Sequence, residues 1–339
     1  MSGIAGAYHL DGRPVGEELD RMLDTMAHRG PNGADTWRDG PVGLGHLMLE
    51  TTPEDQHESL PLVDRTGNFA ITADARIDNR DELIRRLDVR DADDRPITDT
   101  ELIMGAYKRW GRDCPKRLLG AFAFAVWDGV TDRLFCARDH FGIKPFYYLK
   151  DRKTFVFGSE TKPILLKDPI NQNPNDAKIG DYICNISKNK SYTFYQDIYR
   201  LPPSSFIYIE DKRAKSKEYW TLNAETNRQG LSDKELSRKF KRLMCESVEC
   251  RTRSRDHVGI LLSGGLDSSS VYSIAHSEST EDESDLISYS KVYDNFPECD
   301  ERVYTNKINE RKPSNSVYIS GDEYNVLSES EKITKRSGP

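Results

Sequence analysis

The sequence predicts two domains, an α+β domain of helices layered on antiparallel strands and then an α/β domain with parallel strands. The 339 residues are enough for two ordinary domains. Four strand-like segments with short polar connections lie between residues 121 and 159, which favours an antiparallel sheet. An apolar run, a glycine turn and a helix-like stretch follow one another in VGILLSGGLDSSSVYSIA (258–275), which is typical of a parallel strand and its helix.

The first domain alternates strand and helix signals. Alternation of apolar residues predicts strands at GIAGAYHL (3–10) and FAITAD (69–74). Apolar residues at helical spacing predict helices at 15–30, 78–87 and 97–111. The absence of a regular strand–helix–strand repeat favours a layered α+β domain.

Three helix ends carry sequence signals. Asn79 with Glu82, and Thr98 with Glu101, have the spacing of a capping box at a helix start. Gly30 suits the position just after the C-terminus of the first helix.

The second domain begins with an amphipathic pattern after Ser232. Its apolar face comprises Leu236, Phe240, Leu243, Met244 and Val248. The wholly apolar run at 258–262 predicts a central parallel strand, and two further strands are predicted at 285–292 and 316–320.

Composition narrows the class of protein. A net charge of -7 argues against nucleic acid as the main partner. The six cysteines form no CxxC pair, which indicates a reducing compartment and a cytoplasmic protein, with Cys136 as a buried free thiol. No signal-peptide pattern opens the chain, and the longest apolar stretch (121–127) is too short to span a membrane.

The strongest chemical signal is the turn at 262–269. Glycines allow close backbone approach to a ligand, and serine hydroxyls and helix N–H groups favour an anion such as a phosphate chain. The turn consists of Leu262, Ser263, Gly264, Gly265, Leu266, Asp267, Ser268 and Ser269. It lacks the Gly-Lys-Ser/Thr ending of a Walker A loop, and it resembles the pyrophosphate loop (SGGxDS) of ATP pyrophosphatases. A serine- and glycine-rich surface turn is the alternative, but a turn between an apolar strand and a helix favours the loop.

The resemblance to ATP pyrophosphatases gives the loop residues their roles. Ser263, Gly264, Gly265, Ser268 and Ser269 would hold pyrophosphate. Asp267 would bind the Mg2+ that accompanies ATP. Leu262, as the last strand residue, would lie against the nucleotide.

Ser2 raises a second chemical question. After removal of Met1 it would carry a free α-amino group and a hydroxyl, which together are the minimum for an N-terminal nucleophile. A small second residue is also common without any catalytic reason.

Nearly the whole chain resembles the asparagine synthetases. The matching blocks are HRGPNGAD (28–35), DARIDNRDEL (74–83), GAFAFAVWD (120–128), ARDHFGIKPFYY (137–148), FGSETKPIL (157–165) and LSGGLDSS (262–269). The resemblance implies an N-terminal-nucleophile (αββα) glutamine amidotransferase domain at 1–210. A connection at 211–232 and a partial, Rossmann-like ATP-pyrophosphatase domain at 233–339 would follow.

In that family a cysteine exposed by removal of Met1 hydrolyses glutamine, and the corresponding site is degenerate here. Ser2 takes the place of the nucleophile, and Met48 that of the arginine that holds glutamine. Asp74 and Ala75 take the place of the Asn-Gly pair of the oxyanion hole. Asp99 matches the aspartate that binds the α-amino group of glutamine, although a first-turn helix acid is an equally good interpretation. The combined losses predict an inactive glutaminase site.

A narrower resemblance concerns three segments, at 4–15, 97–115 and 288–304. They are similar to asparagine-synthetase-like proteins grouped with lasso-peptide isopeptide-forming cyclases. Those enzymes adenylate a side-chain carboxylate and let an amine of the same peptide attack, so they need no ammonia. The acidic stretch FPECDER (296–302) would then contact substrate or be a solvated turn beside the site.

Three functional hypotheses remain open. The first is an ATP- and Mg2+-dependent ligase that acts on a small-molecule or peptide carboxylate. The second is a glutamine-hydrolysing asparagine synthetase, and the third is a non-catalytic truncated subunit. About 80 residues follow the start of the loop, fewer than a doubly wound domain normally uses, which predicts a truncated gene product, a fragment or one half of a split enzyme. The expected protein partner is a second copy in a homodimer or a complementing C-terminal subunit. An incomplete sheet is also expected to leave an exposed edge and apolar face.

Overall fold

The computed structural model describes residues 1–89, 95–167, 173–186, 189–223, 230–278, 286–312, 315–322 and 330. Contacts divide them into two compact units. The first unit contains Met1–Glu50 and Glu54–Leu222, and the second contains Thr51–Pro53 and Asn223–Lys332.

Two antiparallel six-stranded sheets form the body of the first unit. The strands are β1 Gly3–His9, β2 Gly33–Asp39, β3 Val42–Met48, β4 Leu62–Val63, β5 Phe69–Ile77, β6 Gly120–Asp128, β7 Arg133–Arg138, β8 Tyr147–Lys150, β9 Thr154–Gly158, β10 Tyr199–Arg200, β11 Ser205–Glu210 and β12 Arg213–Glu218. Sheet order is β10-β8-β9-β1-β3-β2 in the first sheet and β12-β11-β7-β6-β5-β4 in the second.

The strands predicted between 121 and 159 are confirmed, but they do not form one sheet. β6 pairs with β7 in the second sheet, whereas β8 pairs with β9 in the first. The chain changes sheets between β7 and β8 because apolar side chains of both sheets meet in a shared core. That core includes Phe155 and Phe157 from the first sheet and Ala125 and Cys136 from the second. Cys136 is a buried free thiol, as predicted.

Helices cover the outer face of each sheet. The helices of this unit are α1 Glu18–Asp24, α2 Arg80–Leu87, α3 Asp99–Trp110, α4 Lys162–Leu165 and α5 Asp176–Ile183. Leu19 and Met22 of α1 pack with Ile164 of α4 against the first sheet. Leu83 of α2 and Leu102 of α3 pack against the second sheet. The resulting helix–sheet–sheet–helix order confirms the αββα fold class.

Two of the predicted helix ends differ from the structure. The first helix ends at Asp24 and a separate 3-10 turn spans Ala27–Arg29, so Gly30 follows that turn and has a negative φ of -116°. Asn79 precedes α2 but forms no capping box, because its Oδ1 accepts from the backbone N–H of Leu119. Thr98 and Glu101 form the predicted capping box at the start of α3.

The second unit contains a parallel sheet with helices α6 Asp233–Thr252, α7 Leu266–Glu278 and α8 Arg302–Arg311. Its strands, β13 Val258–Leu261, β14 Leu286–Val292 and β15 Asn315–Ser320, have the order β13-β14-β15. The parallel pairing confirms an α/β unit, but β13 is not central: among the described residues it pairs only with β14.

Apolar side chains of the second unit are unusually exposed. Leu261 is 81% exposed and Leu266 is 89% exposed. On the predicted apolar face of α6, Val248 is buried, whereas Phe240 and Leu243 are exposed. The exposed edge and apolar face that the sequence predicts are thus present among the described residues. In the part of the chain that the structure describes, no helix has the length and apolarity needed to cross a membrane.

Candidate functional site

The loop between β13 and α7 is the candidate nucleotide site of the second unit. It turns through Gly264, whose φ is +78°, a left-handed conformation that favours glycine. A Cβ on Gly264 would lie 2.7 Å from the Cβ of Tyr304 in α8. Both the backbone conformation and the close approach of α8 therefore require glycine at this position.

Serine side chains hold the loop in shape. The backbone N–H of Ser263 donates to the Oγ of Ser268 over 3.2 Å, and the two hydroxyl oxygens are 3.0 Å apart. The Oγ of Ser268 also lies 3.3 Å from the carbonyl of Gly265. The buried Oγ of Ser269 has no hydrogen-bond partner among the described residues, so it is available to a ligand oxygen.

The start of α7 provides the electrostatics of this loop. α7 has 13 residues, and its free N–H groups and positive dipole end favour an anion. Asp267 lies in its first turn and is exposed. No group of three His, Cys, Asp or Glu side chains in the described ranges could hold a metal ion. Mg2+ that arrives with phosphates commonly uses one or two carboxylates, so Asp267 and the unpartnered Ser269 hydroxyl fit such a complex.

Leu262 is a buried residue at the start of the loop. It follows β13, and its side chain packs in the core with Tyr272 and Leu286. Its N–H donates to the carbonyl of Tyr289 and its carbonyl accepts from the Oγ of Ser290, both over 2.8 Å. Contact of Leu262 with a nucleotide stays a prediction. The residue is buried because β14 and α7 cover it.

The stretch FPECDER leads directly into α8, beside the loop. Arg302 Nε donates to Asp300 Oδ2 over 2.7 Å, and its NH2 group donates to Asp294 Oδ1 over 2.5 Å. The carbonyl of Glu301 would lie 3.5 Å from a Cβ on Gly264. The acidic stretch is therefore a structured border of the loop.

Ser2 begins the candidate site of the first unit. Its Oγ donates to the carbonyl of Leu49 over 3.3 Å and accepts from the Leu49 N–H over 3.1 Å. Arg29 contacts the Ser2 carbonyl over 3.4 Å. The hydroxyl is therefore held by backbone groups at the end of β3, next to Met48.

Asp74 lies in β5, only 2% exposed. Its Oδ1 is 2.5 Å from the Nζ of Lys144, and its Oδ2 has no partner among the described residues. Burial raises the pKa of Asp74, and Lys144 and the α-amino group of Met1 oppose that rise. Burial lowers the pKa of the same α-amino group, which Asp74 opposes. The chain terminus, Asp74 and Lys144 thus share one electrostatic site, with Ala75 next to Asp74.

Asp99 is the first residue of α3 and is buried. Its Oδ2 accepts from the backbone N–H of Ile77 over 2.9 Å, and its Oδ1 forms an ion pair with Arg80. Both oxygens therefore have protein partners, and Asp99 joins α3 to β5 and α2.

Sequence reasoning missed Lys144, His46 and Glu58. Lys144 lies inside the block ARDHFGIKPFYY, but a single lysine in a loop carries no signal that it pairs with Asp74. His46 and Glu58 line a cleft next to Met48. Only the folded sheet brings them together.

The fold and the site define a class of protein. In this class an αββα amidotransferase domain is joined to a nucleotide-binding synthase domain, which carries a phosphate-type loop on a parallel sheet. Two family models match the chain in that order. The model described as "Glutamine amidotransferase domain" matches residues 1–220, and "Asparagine synthase" matches residues 239–333. The chain belongs to the asparagine synthetase family.

Among curated relatives, the chain is 30% identical over 300 residues to "Asparagine synthetase [glutamine-hydrolyzing] 3" of Bacillus subtilis, covering 87% of this chain and 48% of that protein. It is 29% identical to "Putative asparagine synthetase [glutamine-hydrolyzing] 2" of Methanocaldococcus jannaschii, covering 81% of this chain and 56% of that protein. The chain spans about half the length of these relatives.

A solved structure of glutamine phosphoribosylpyrophosphate amidotransferase from Bacillus subtilis, complexed with ADP and GMP, is also similar. It has a TM-score of 0.46 and 14% identity, covering 94% of this chain and 81% of that one.

Proposed function

We propose that this protein is an ATP-dependent amide-bond-forming ligase whose glutaminase site is inactive. The carboxylate of a small molecule or a peptide attacks the α-phosphorus of ATP, and the bond to the bridging oxygen of pyrophosphate breaks. An amine then attacks the acyl-adenylate carbonyl, AMP leaves, and the amine loses a proton. These steps need no ammonia. They are therefore also the steps expected of the isopeptide-forming cyclases that the chain resembles.

The observation that carries the proposal is the serine-lined loop before α7. Ser263 and Ser268 fix its shape, Gly264 allows its left-handed turn and the close approach of α8, and the Ser269 hydroxyl is unpartnered among the described residues. Backbone N–H groups at the start of α7 would receive the pyrophosphate oxygens. Mg2+ bound with ATP would offset the charge of the leaving pyrophosphate, with Asp267 as its protein ligand.

The geometry of the first unit supports the loss of glutaminase activity. A serine hydroxyl is a poorer nucleophile than a thiol, and the Ser2 Oγ is bonded to the backbone of Leu49. The Asp74 carboxylate would repel an oxyanion, and Lys144 is already paired with it. Met48 offers no charge to a glutamine carboxylate.

Isotope exchange between pyrophosphate and ATP tests adenylation directly. We expect exchange that depends on an added carboxylate, drawn from amino acids and from peptides with Asp or Glu side chains. Ser269→Ala should lower the exchange rate. Ser270→Ala is the matched control, because that exposed hydroxyl donates to its own helix at Leu266. Absence of exchange with every carboxylate would contradict the proposal.

A glutamine-hydrolysing synthetase is the second candidate function. It is favoured by the position of the Ser2 hydroxyl beside Met48 at the end of β3, and by the names of the relatives. Glutamate release by protein lacking Met1, abolished in Ser2→Ala, would establish this candidate and contradict the inactive site.

We propose in addition that the second unit associates with a partner, either a second copy of the chain or a complementing subunit. The exposed side chains of Phe240, Leu261 and Leu266 support this. Light scattering of the purified chain distinguishes a homodimer from a monomer. A monomer that also fails to form a complex with a complementing synthase-domain polypeptide would contradict the partner.

A further inference from the structure

A cleft of about 220 Å³ lies beside Ser2 in the first unit. Parts of β2 and β3 and the segment 58–60 form its walls. Met48 and Glu50 line it, and Leu49 between them holds the Ser2 hydroxyl. The cleft is thus adjacent to the degenerate glutaminase site and shares Met48 with it, whereas its other lining side chains do not belong to that site.

The lining of this cleft is acidic. Asp35, Glu50 and Glu58 contribute carboxylates, and no Lys or Arg occurs among the described residues that line it. Met48 and Leu60 add apolar surface. A carboxylate ligand would be repelled here, whereas a cation with an alkyl stem would meet opposite charge at one end and apolar contacts along its length.

His46 gives the cleft a second, independent feature that points to a ligand. Its side chain is 2% exposed, and its Nε2 has no hydrogen-bond partner in the described part of the chain. Its Nδ1 lies 3.4 Å from the Oγ1 of Thr72, which itself donates to the carbonyl of Gly45. Thr72 therefore accepts from Nδ1–H, which leaves the Nε2 lone pair as an acceptor.

The protonation of His46 and Glu58 agrees with a donor-bearing ligand. Burial lowers the pKa of His46 to about 3, so the ring is neutral near pH 7. Burial raises the pKa of Glu58 to about 7, with repulsion from Asp99 and Asp55 adding to the rise and hydrogen bonds from Thr100 opposing it. A bound cation would favour the charged form of Glu58, so binding would release a proton.

We infer that this cleft binds a primary ammonium group on an alkyl stem, with His46 Nε2 accepting one N–H and the carboxylates of Asp35, Glu50 and Glu58 balancing the charge. The source is either a free amine or the side chain of a lysine in a peptide. The inference does not depend on ATP chemistry in the second unit, and its test needs no turnover.

Isothermal titration of the full chain at pH 8 tests the inference with four probes. These are n-butylammonium chloride, a capped Gly-Lys-Gly peptide, the same peptide with acetylated lysine, and L-glutamine. We expect the first two to bind, and acetylation to weaken binding at least tenfold because the charge is lost. Tighter binding of the peptide than of n-butylammonium would identify a peptide lysine as the source of the ammonium group. Tighter binding of n-butylammonium would identify a free amine.

Two variants locate the binding in the cleft. Asp35→Asn and Glu58→Gln should each weaken n-butylammonium binding several-fold. Asp39→Asn is the matched control, because Asp39 lies on the same strand outside the cleft. Asp35 is exposed, so its variant keeps the test valid if Glu58→Gln fails to fold. The inference would be overturned if the acetylated peptide bound as tightly as the unmodified one, or if glutamine bound more tightly than n-butylammonium. It would also be overturned if all three variants lost the same amount of affinity for n-butylammonium.

Discussion

Lys144 Nζ lies 2.5 Å from Asp74 Oδ1 inside the first unit, where the Asp74 side chain is 3% exposed and the Lys144 side chain is 13% exposed. A hydrolytic site needs donors directed at a developing negative charge. In the proposed inactive site, the Asp74 carboxylate would occupy that place, and its cation is already paired with it. The pair therefore neutralises itself within the first unit.

We expect Asp74→Ala to lower the free energy of unfolding by about 3 kcal/mol, because it leaves the Lys144 charge buried without a partner. The double variant Asp74→Ala with Lys144→Met should recover much of this loss, since neither charge remains. Urea unfolding of wild type and both variants measures these free energies.

The exposed ion pair between Asp113 and Lys116 serves as the control for that experiment. Asp113→Ala should change the free energy of unfolding by less than about 1 kcal/mol. Equal effects of Asp74→Ala and Asp113→Ala would show that the buried pair contributes no more to the free energy of unfolding than an exposed pair.

Gly264→Ala should abolish nucleotide binding by the loop. The substitution meets the Tyr304 Cβ at 2.7 Å and places a side chain at a φ of +78°, so the loop must shift. We expect the apparent affinity for MgATP to fall at least tenfold. Differential scanning fluorimetry over a range of MgATP concentrations measures it from the thermal stabilisation.

Gly180→Ala is the matched control for this substitution. Gly180 lies in α5 of the first unit, away from the loop sequence, and an added Cβ there would meet nothing within 4 Å. Undiminished MgATP stabilisation of Gly264→Ala would show that the loop shape does not determine binding.

Features that depend on contiguous residues could be predicted from the sequence, whereas features that depend on contacts between distant residues could not. The strand–turn–helix at 258–275 was predictable because its residues are contiguous and its chemistry is local. The central position of β13 was not, because an apolar run does not reveal how many neighbours a strand acquires. The burial of the Leu262 side chain was not predictable for the same reason, since β14 and α7 cover it.

The candidate site of the first unit shows the same difference. The family resemblance pointed to Ser2, Met48 and Asp74, but it did not indicate that Asp74 pairs with Lys144, 70 residues away. The strands at 121–159 were found by alternation, but alternation does not specify which sheet each strand joins. The division between β7 and β8 depends on the inter-sheet core, which forms only on folding.

Helix capping provides a direct test of this distinction. Thr98→Ala should lower the free energy of unfolding by about 1 kcal/mol, because the Thr98 side chain accepts from the Glu101 N–H at the start of α3. The spacing at Asn79 and Glu82 is the same, yet Asn79 forms no cap to its own helix.

Asn79→Asp discriminates between the two interpretations of Asn79. A capping role would tolerate aspartate, whereas the observed amide donates to the carbonyl of Arg117 and would lose that bond. We therefore expect Asn79→Asp to be destabilising in chemical unfolding, and a neutral or stabilising effect would restore the capping interpretation.

The cleft beside Ser2 predicts a pH dependence of stability that can be assigned to Glu58. Its pKa is about 7 in the folded protein against an ordinary 4.5, so the folded state holds this proton more tightly than the unfolded chain. Its contribution to stability is therefore complete below pH 4.5 and is lost as the pH rises through about 7. His46 acts in the opposite sense, because its lowered pKa of about 3 costs stability as the pH falls below 6.5.

Comparison of wild type with Glu58→Gln removes the shared His46 contribution. We expect the stability of wild type relative to Glu58→Gln to fall by up to about 3 kcal/mol between pH 5 and pH 8, measured by urea unfolding at each pH. Exposed Asp24, substituted by Asn, should give a curve parallel to wild type over that range. A parallel curve for Glu58→Gln as well would mean that this carboxyl is solvated, and the cleft would then lack the buried acid on which its preference for an ammonium group depends.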